Sequence, residues 1–127
     1  MPLPDAAFLG HMLSAMHRLS ELLARTDRDT FDRDWVTQNA VIRELEVLGE
    51  AAGRLSHEVV AAHPEVPWRE IAGMRHKLIH DYFVVDLGIV WSTATVNVPA
   101  VEPMIRAAAA TLGVPEPPNE LNGRGDR

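Results

Sequence analysis

The 127-residue chain predicts an all-α fold, a small up-and-down bundle of four to five helices. Three observations carry that reading. Apolar residues recur three or four positions apart over most of the chain, the period of a helix with one buried face. Pro64, Pro67 and Gly113 fall at the joints between these periodic stretches. No strand-like alternation of useful length appears, and no internal repeat. An apolar share of 46% in a chain of this length fits one domain with its own core rather than a disordered segment.

Asp5 is placed to cap a first helix over about residues 6–25, in which Phe8, Met12, Met16, Leu19 and Leu23 form one buried stripe. The polar segment TDRDTFDRD (26–34) breaks the pattern, with room for one turn around Phe31. Asp34 then caps a long helix over about residues 35–62. Inside it Val41, Leu45, Leu48, Ala52, Leu55, Val59 and Ala62 alternate steps of four and three, a heptad seam. Gly49 and Gly53 sit one turn apart within that helix. Each costs about 1 kcal/mol relative to alanine, so a close helix–helix approach is expected there.

His63-Pro64 ends this helix, because proline disfavours the helical conformation in the residue before it. Pro67 suits the first turn of a third major helix over residues 67–83, with Glu70 near its positive end. Asp86 caps a fourth, whose apolar face (Leu87, Val90, Trp91, Ala94, Val98) meets Pro99 and must kink or restart there. The pattern resumes through Val101, Met104, Ile105, Ala108 and Leu112 and stops at Gly113. Residues 1–112 therefore form the helical domain, and 113–127 a flexible tail rich in proline, glycine and charge. Its Arg124-Gly125-Asp126 triplet reads as chance. Trp35, Trp68 and Trp91 read as core anchors rather than base-stacking platforms.

The charge balance is acidic, 12 Lys+Arg against 18 Asp+Glu, which excludes an overall basic nucleic-acid coat but not a local patch. No apolar stretch approaches the ~20 residues needed to cross a bilayer. The start, MPLPDAAFLGHML, lacks a basic segment followed by an apolar run, so it does not read as a signal peptide. The absence of cysteine removes disulfides, thiolate zinc sites and thiol nucleophiles. A cytoplasmic location is the simplest expectation. His57, His63, His76 and His80 have neither the spacing nor the carboxylate company of a metal site, so no metal and no cofactor is expected.

The chemistry concentrates in one octet. Residues 75–82, RHKLIHDY, gather Arg75, His76, Lys77, His80, Asp81 and Tyr82, with cations or potential cations at 75, 76, 77 and 80. These types suit phosphodiester chemistry. A guanidinium clamps a phosphate with two hydrogen bonds and offsets charge that develops in the transition state. An imidazole of ordinary pKa ~6.5 moves protons near neutral pH. If the nucleophile is the 2′-hydroxyl of RNA, no metal is required. On an ideal helix, at 100° per residue, Arg75 and Tyr82 lie about 20° apart and Arg75 and His80 about 140° apart. Arg75 and His80 therefore converge only if the helix distorts near His80 or a second chain brings a matching helix alongside. A two-fold dimer would place two copies of each in one cleft.

This octet, Arg75-x4-His80-x-Tyr82, resembles the HEPN superfamily, and within it the HepT-type toxins paired with minimal nucleotidyltransferase (MNT) antitoxins. The likeness extends through TQNAVIRELEVLGEAAGRLS (37–56), PEVPWREIAGMRHKLIHDYFVVDLGIVW (64–91) and Val98-Pro99, roughly residues 5–112. The resemblance implies a helical bundle that dimerises around the motif. It implies a metal-independent endoribonuclease in which Arg75 contacts the scissile phosphate and His80 transfers protons, with RNA, tRNA included, as substrate. It implies that Tyr82 is the tyrosine to which the nucleotidyltransferase antitoxin adds AMP. Phosphate added there puts negative charge beside Arg75 and obstructs the RNA path. His76 stands where the family often has asparagine, and with Lys77 it is a candidate for RNA or phosphate contact.

Plainer readings stand beside these. Arg75 and His80 taken singly fit a surface ion pair and a helix-end histidine, Tyr82 a core-edge aromatic, and Asp81 a solvated carboxylate. The rival at the level of function is a non-catalytic HEPN module that binds a nucleotide or docks a partner in the same cleft.

Overall fold

The computed structural model describes residues 4–80 and 84–117. Its frame is the pair α1 (Asp5–Ala24) and α3 (Trp35–Gly53), which share the most extensive helix–helix interface. The predicted stripe of α1 is buried at Phe8, Met12, Met16 and Leu19, joined by Leu9, Leu13 and Ala15; Leu23 is partly buried. Against it α3 sets Val41, Leu45, Leu48 and Ala52, the first part of the heptad seam.

Asp5 is not the cap that the sequence leads one to expect. Pro4 holds the N-cap position, and the Asp5 carboxylate, already in the first turn, reaches across the molecule. It accepts 2.8 Å and 2.7 Å hydrogen bonds from the amide and hydroxyl of Ser56. The start of α1 is thus tied to the segment just past the end of α3, and the two helices run antiparallel.

That same serine divides the long helix expected over 35–62. Helix α3 ends at Gly53, and Ser56 caps a separate α4 (His57–Ala62) by accepting from the Val59 amide. Serine favours a cap because its hydroxyl competes for backbone donors. The seam outlasts the break as far as Val59, which is buried, but Ala62 is exposed. Between α1 and α3, Asp27 caps the short α2 (Arg28–Arg33), which delivers Phe31 into the core with no exposed surface. Asp34 caps α3 as expected, and hydrogen bonds from the Thr37 hydroxyl and from the Thr37 and Val36 amides hold its carboxyl below the ordinary value.

The helix expected over 67–83 is also divided. It begins behind Pro67 as α5 (Trp68–Ala72), turns at Gly73, and continues as α6 (Met74–Leu78). Helix α6 gives way at Ile79 to a two-residue strand β1 (Ile79–His80), paired antiparallel with β2 (Val84–Val85) in the register Ile79 with Val85 and His80 with Val84. The sequence around this point is rich in β-branched and aromatic residues, which favour extended backbone. The strand pair is too short to show as alternation; it corrects the end of the helix expected over 67–83 and leaves the all-α class intact.

Asp86 then caps α7 (Leu87–Ser92) by accepting from the Ile89 amide. Ahead of Pro99 the helix widens into a π-helical turn (Thr93–Asn97) and resumes as α8 (Val98–Thr111). Proline offers no N–H to a carbonyl one turn back, and the wider turn accommodates that loss. The Thr95 hydroxyl supplies a donor of its own, to the Trp91 carbonyl at 2.7 Å. Pro103 lies inside α8 without ending it. Gly113 stops the helix at φ 71°. The Gly113 and Val114 amides return to the Ala110 and Ala109 carbonyls, a Schellman motif. Residues 118–127, most of the expected tail with its Arg-Gly-Asp triplet, lie outside the described residues.

Of the three tryptophans, Trp68 is buried and its indole N–H donates to the His63 carbonyl at 2.9 Å. Trp91 is partly buried against the Phe31 ring, 5.1 Å between centroids. Trp35 departs from expectation: it is 69% exposed at the first position of α3, where the buried face has not yet begun.

Candidate active site

Close packing behind the octet fixes where α5 and α6 sit. A methyl group on Gly49 would stand 3.0 Å from the Ile71 carbonyl oxygen, tighter than such a contact ordinarily is, so any larger residue there would push α5 away from α3 by a few tenths of an ångström. At Gly53 the neighbour is the Ala72 methyl group at 3.7 Å, an ordinary contact. The close approach expected from the two glycines is therefore made at Gly49. With Ile71, Met74 and Leu78 buried, α5 and α6 are anchored, and Arg75, His76 and Lys77 face solvent.

Arg75 lies at the edge of a groove of about 540 Å3 that runs between α1 and α3. Its Nε is 3.8 Å from the Glu46 carboxylate, and the side chain remains 69% exposed. The groove floor is apolar, from Phe8, Val47 and Ala51, and its walls carry His11, Arg43, Glu50 and Arg54. Lys77, two residues on, lines a different and more apolar groove of about 550 Å3 with Met74, Ile89, Val96 and Val101. Within the chain the structure therefore separates Arg75 from Lys77.

His80 does not continue the course of α6. Its backbone lies in β1, after the last helical residue Leu78, so the 140° separation of an uninterrupted helix does not apply. The Asp86 amide donates to the Leu78 carbonyl at 3.3 Å and closes the neck of the hairpin. The side chain of His80, together with Asp81 and Tyr82, lies outside the described residues. Among the described residues no group of three or more histidines and carboxylates is placed to hold a metal ion. No helix there is long and apolar enough to cross a membrane.

The sequence reading missed the neighbours of Arg75 in its groove. Arg43, Glu46, Val47 and Glu50 on α3 and Arg54 at its C-cap recur at helical spacing, beside the buried seam. That period was available, but a polar helix face has the look of solvated surface until a second element is seen to border it.

Comparison with known proteins places the chain in a family. Residues 12–108 match the family model described as Ribonuclease HepT-like. The chain belongs to the HepT-like ribonuclease family. Its relatives include a protein of Caldanaerobacter subterraneus subsp. tengcongensis named "Putative RNase", 39% identical over 78% of this chain and 88% of that one. The "Probable ribonuclease HepT" of Thermococcus cleftensis is 39% identical over 75% of this chain and 86% of its own. A "Putative RNase" of Methanocaldococcus jannaschii is 40% identical over 80% and 89% respectively. No solved structure matches the chain.

Proposed function

We propose that this protein is the endoribonuclease toxin of a toxin–antitoxin pair, cutting RNA without a metal at a site shared across a two-fold dimer. One observation carries the reading: a chain of the HepT-like ribonuclease family bears Arg75-x4-His80-x-Tyr82, with Arg75 exposed on α6 at the edge of the groove between α1 and α3. In this account the 2′-hydroxyl of the ribose attacks the adjacent phosphorus while His80 takes its proton. Arg75 holds the non-bridging oxygens as charge gathers on them. The 5′-oxygen leaves with a proton, and the products end in a 2′,3′-cyclic phosphate and a 5′-hydroxyl. A base and an acid are both needed. Two His80 side chains in one dimer cleft provide them, which is why the dimer belongs to the mechanism. His76 and Lys77 are candidates for further phosphate contact, Lys77 from its separate groove, and tRNA is one candidate substrate.

Silencing follows from the same chemistry. An MNT-type nucleotidyltransferase antitoxin transfers AMP from ATP to the Tyr82 oxygen, with pyrophosphate leaving. The added phosphate competes with RNA for Arg75. The experiment is induced expression of wild type, Arg75→Ala and His80→Ala at matched soluble levels. Growth inhibition is expected from wild type and lost in both variants. A fully toxic Arg75→Ala or His80→Ala refutes the site assignment, and toxicity undiminished in both favours a binding module acting without cleavage.

A further inference from the structure

The groove beside Arg75 carries more positive charge than an acidic protein leads one to expect, and that charge is arranged. In both ion pairs of the groove the carboxylate approaches Nε rather than the tip of the guanidinium: Glu50 lies 2.9 Å from Arg54 Nε, and Glu46 lies 3.8 Å from Arg75 Nε. A guanidinium bound at Nε keeps both terminal amino groups, the fork that grips a phosphate. Glu50 therefore holds Arg54 by a hydrogen bond at Nε, and Glu46 stands near Arg75 without one, so among the described residues the terminal amino groups of both arginines are left for a phosphate. Arg43 forms no ion pair among the described residues, and its side chain is exposed. From Arg43 to Arg54 is eleven residues, about 16 Å at 1.5 Å per residue, the length of a few nucleotides. Between them the exposed His11 ring in the wall stands edge-to-face with the buried Phe8 ring, 6.2 Å between centroids, and the open imidazole is an aromatic surface of the kind on which a base settles.

We propose that this groove is a binding subsite for single-stranded RNA: Arg43 and Arg54 take phosphates flanking the scissile one, and a base rests over His11. The inference rests on the ribonuclease reading for its choice of ligand, and it assigns residues of α1 and α3, outside the octet, to substrate. It also locates the positive charge that an acidic chain needs in order to hold RNA.

The test is binding of a fluorescent 12-nucleotide single-stranded RNA, 2′-O-methylated throughout so that it cannot be cut, measured by anisotropy over a range of salt. The chains compared are wild type, Arg43→Ala/Arg54→Ala, and Arg106→Ala, an α8 arginine that does not line the groove. The arginines are exposed, so the variants are expected to fold, which circular dichroism checks. The double variant is expected to bind about tenfold or more weakly, with the slope of log K against log salt reduced by about 0.7 per contact removed, while Arg106→Ala matches wild type. Equal binding by wild type and the double variant, equal losses in the double variant and Arg106→Ala, or no binding by wild type overturns the subsite. The ribonuclease reading fails separately: a wild type that binds through Arg43 and Arg54 yet never cuts unmodified RNA keeps the subsite and loses the enzyme.

Discussion

At the scale of single residues, two glycines one turn apart on the same helix do different things. Gly49 lets the backbones of α3 and α5 touch, since any Cβ there meets the Ile71 carbonyl, which cannot move without moving α5. Gly53 has ordinary clearance and sits exposed at the end of α3. Gly49→Ala is therefore expected to destabilise the fold by about 1–3 kcal/mol. Gly53→Ala is expected to be neutral or to stabilise by up to about 1 kcal/mol through lower chain entropy in the unfolded state. Urea unfolding of the two variants checks the contrast, and similar midpoints would contradict it. The sequence showed that two glycines inside a helix need a reason but not which one carried it, because that depends on a backbone 22 residues away. Arg75 and its groove follow the same logic. The octet marked the arginine, whereas Glu46, Arg43 and Arg54 joined it only once α3 was placed alongside.

At the scale of elements, the sequence marked starts better than breaks. Asp34 and Asp86 cap the helices expected of them, and Pro99 and Gly113 act where their chemistry requires. Two long helices were each read through an interruption, at Gly53–Ser56 and at Gly73, because the apolar period runs on across both and period was the signal followed. The strand pair at 79–80 and 84–85 is hidden in the same way, its strands being two residues each. A testable consequence concerns the caps. The Asp34 carboxyl is held below its ordinary value of 3.8 by hydrogen bonds that exist only in the folded chain, chiefly from the Thr37 hydroxyl. A lowered folded value means the stabilisation is complete above the unfolded value and lost as pH falls through the folded one. Asp34→Asn keeps an acceptor at the cap but removes the titration. Its urea midpoint is accordingly expected to fall less than that of wild type on going from pH 5 to below 3.8, and parallel curves would contradict the assignment.

At the scale of the whole molecule, an acidic chain belongs to a family whose named relatives are ribonucleases. Charge explains how both can hold. The protein is net negative, but the groove edged by Arg75 gathers three guanidinium groups, one of them, Arg54, held at Nε by the Glu50 carboxylate. The dimer completes the proposal by supplying a second histidine to a single phosphate, something a lone chain with one His80 cannot do. These features meet in one claim, that His80 transfers protons in a metal-independent cleavage of RNA. The most direct measurement is incubation of purified protein with total cellular RNA in the presence of chelator, beside His80→Ala, with the product ends mapped. Discrete fragments bearing 2′,3′-cyclic phosphate, absent with the variant, are the expected result. Fragments that persist with His80→Ala, or no cleavage by a folded wild type whose intact mass shows no AMP on Tyr82, would contradict it.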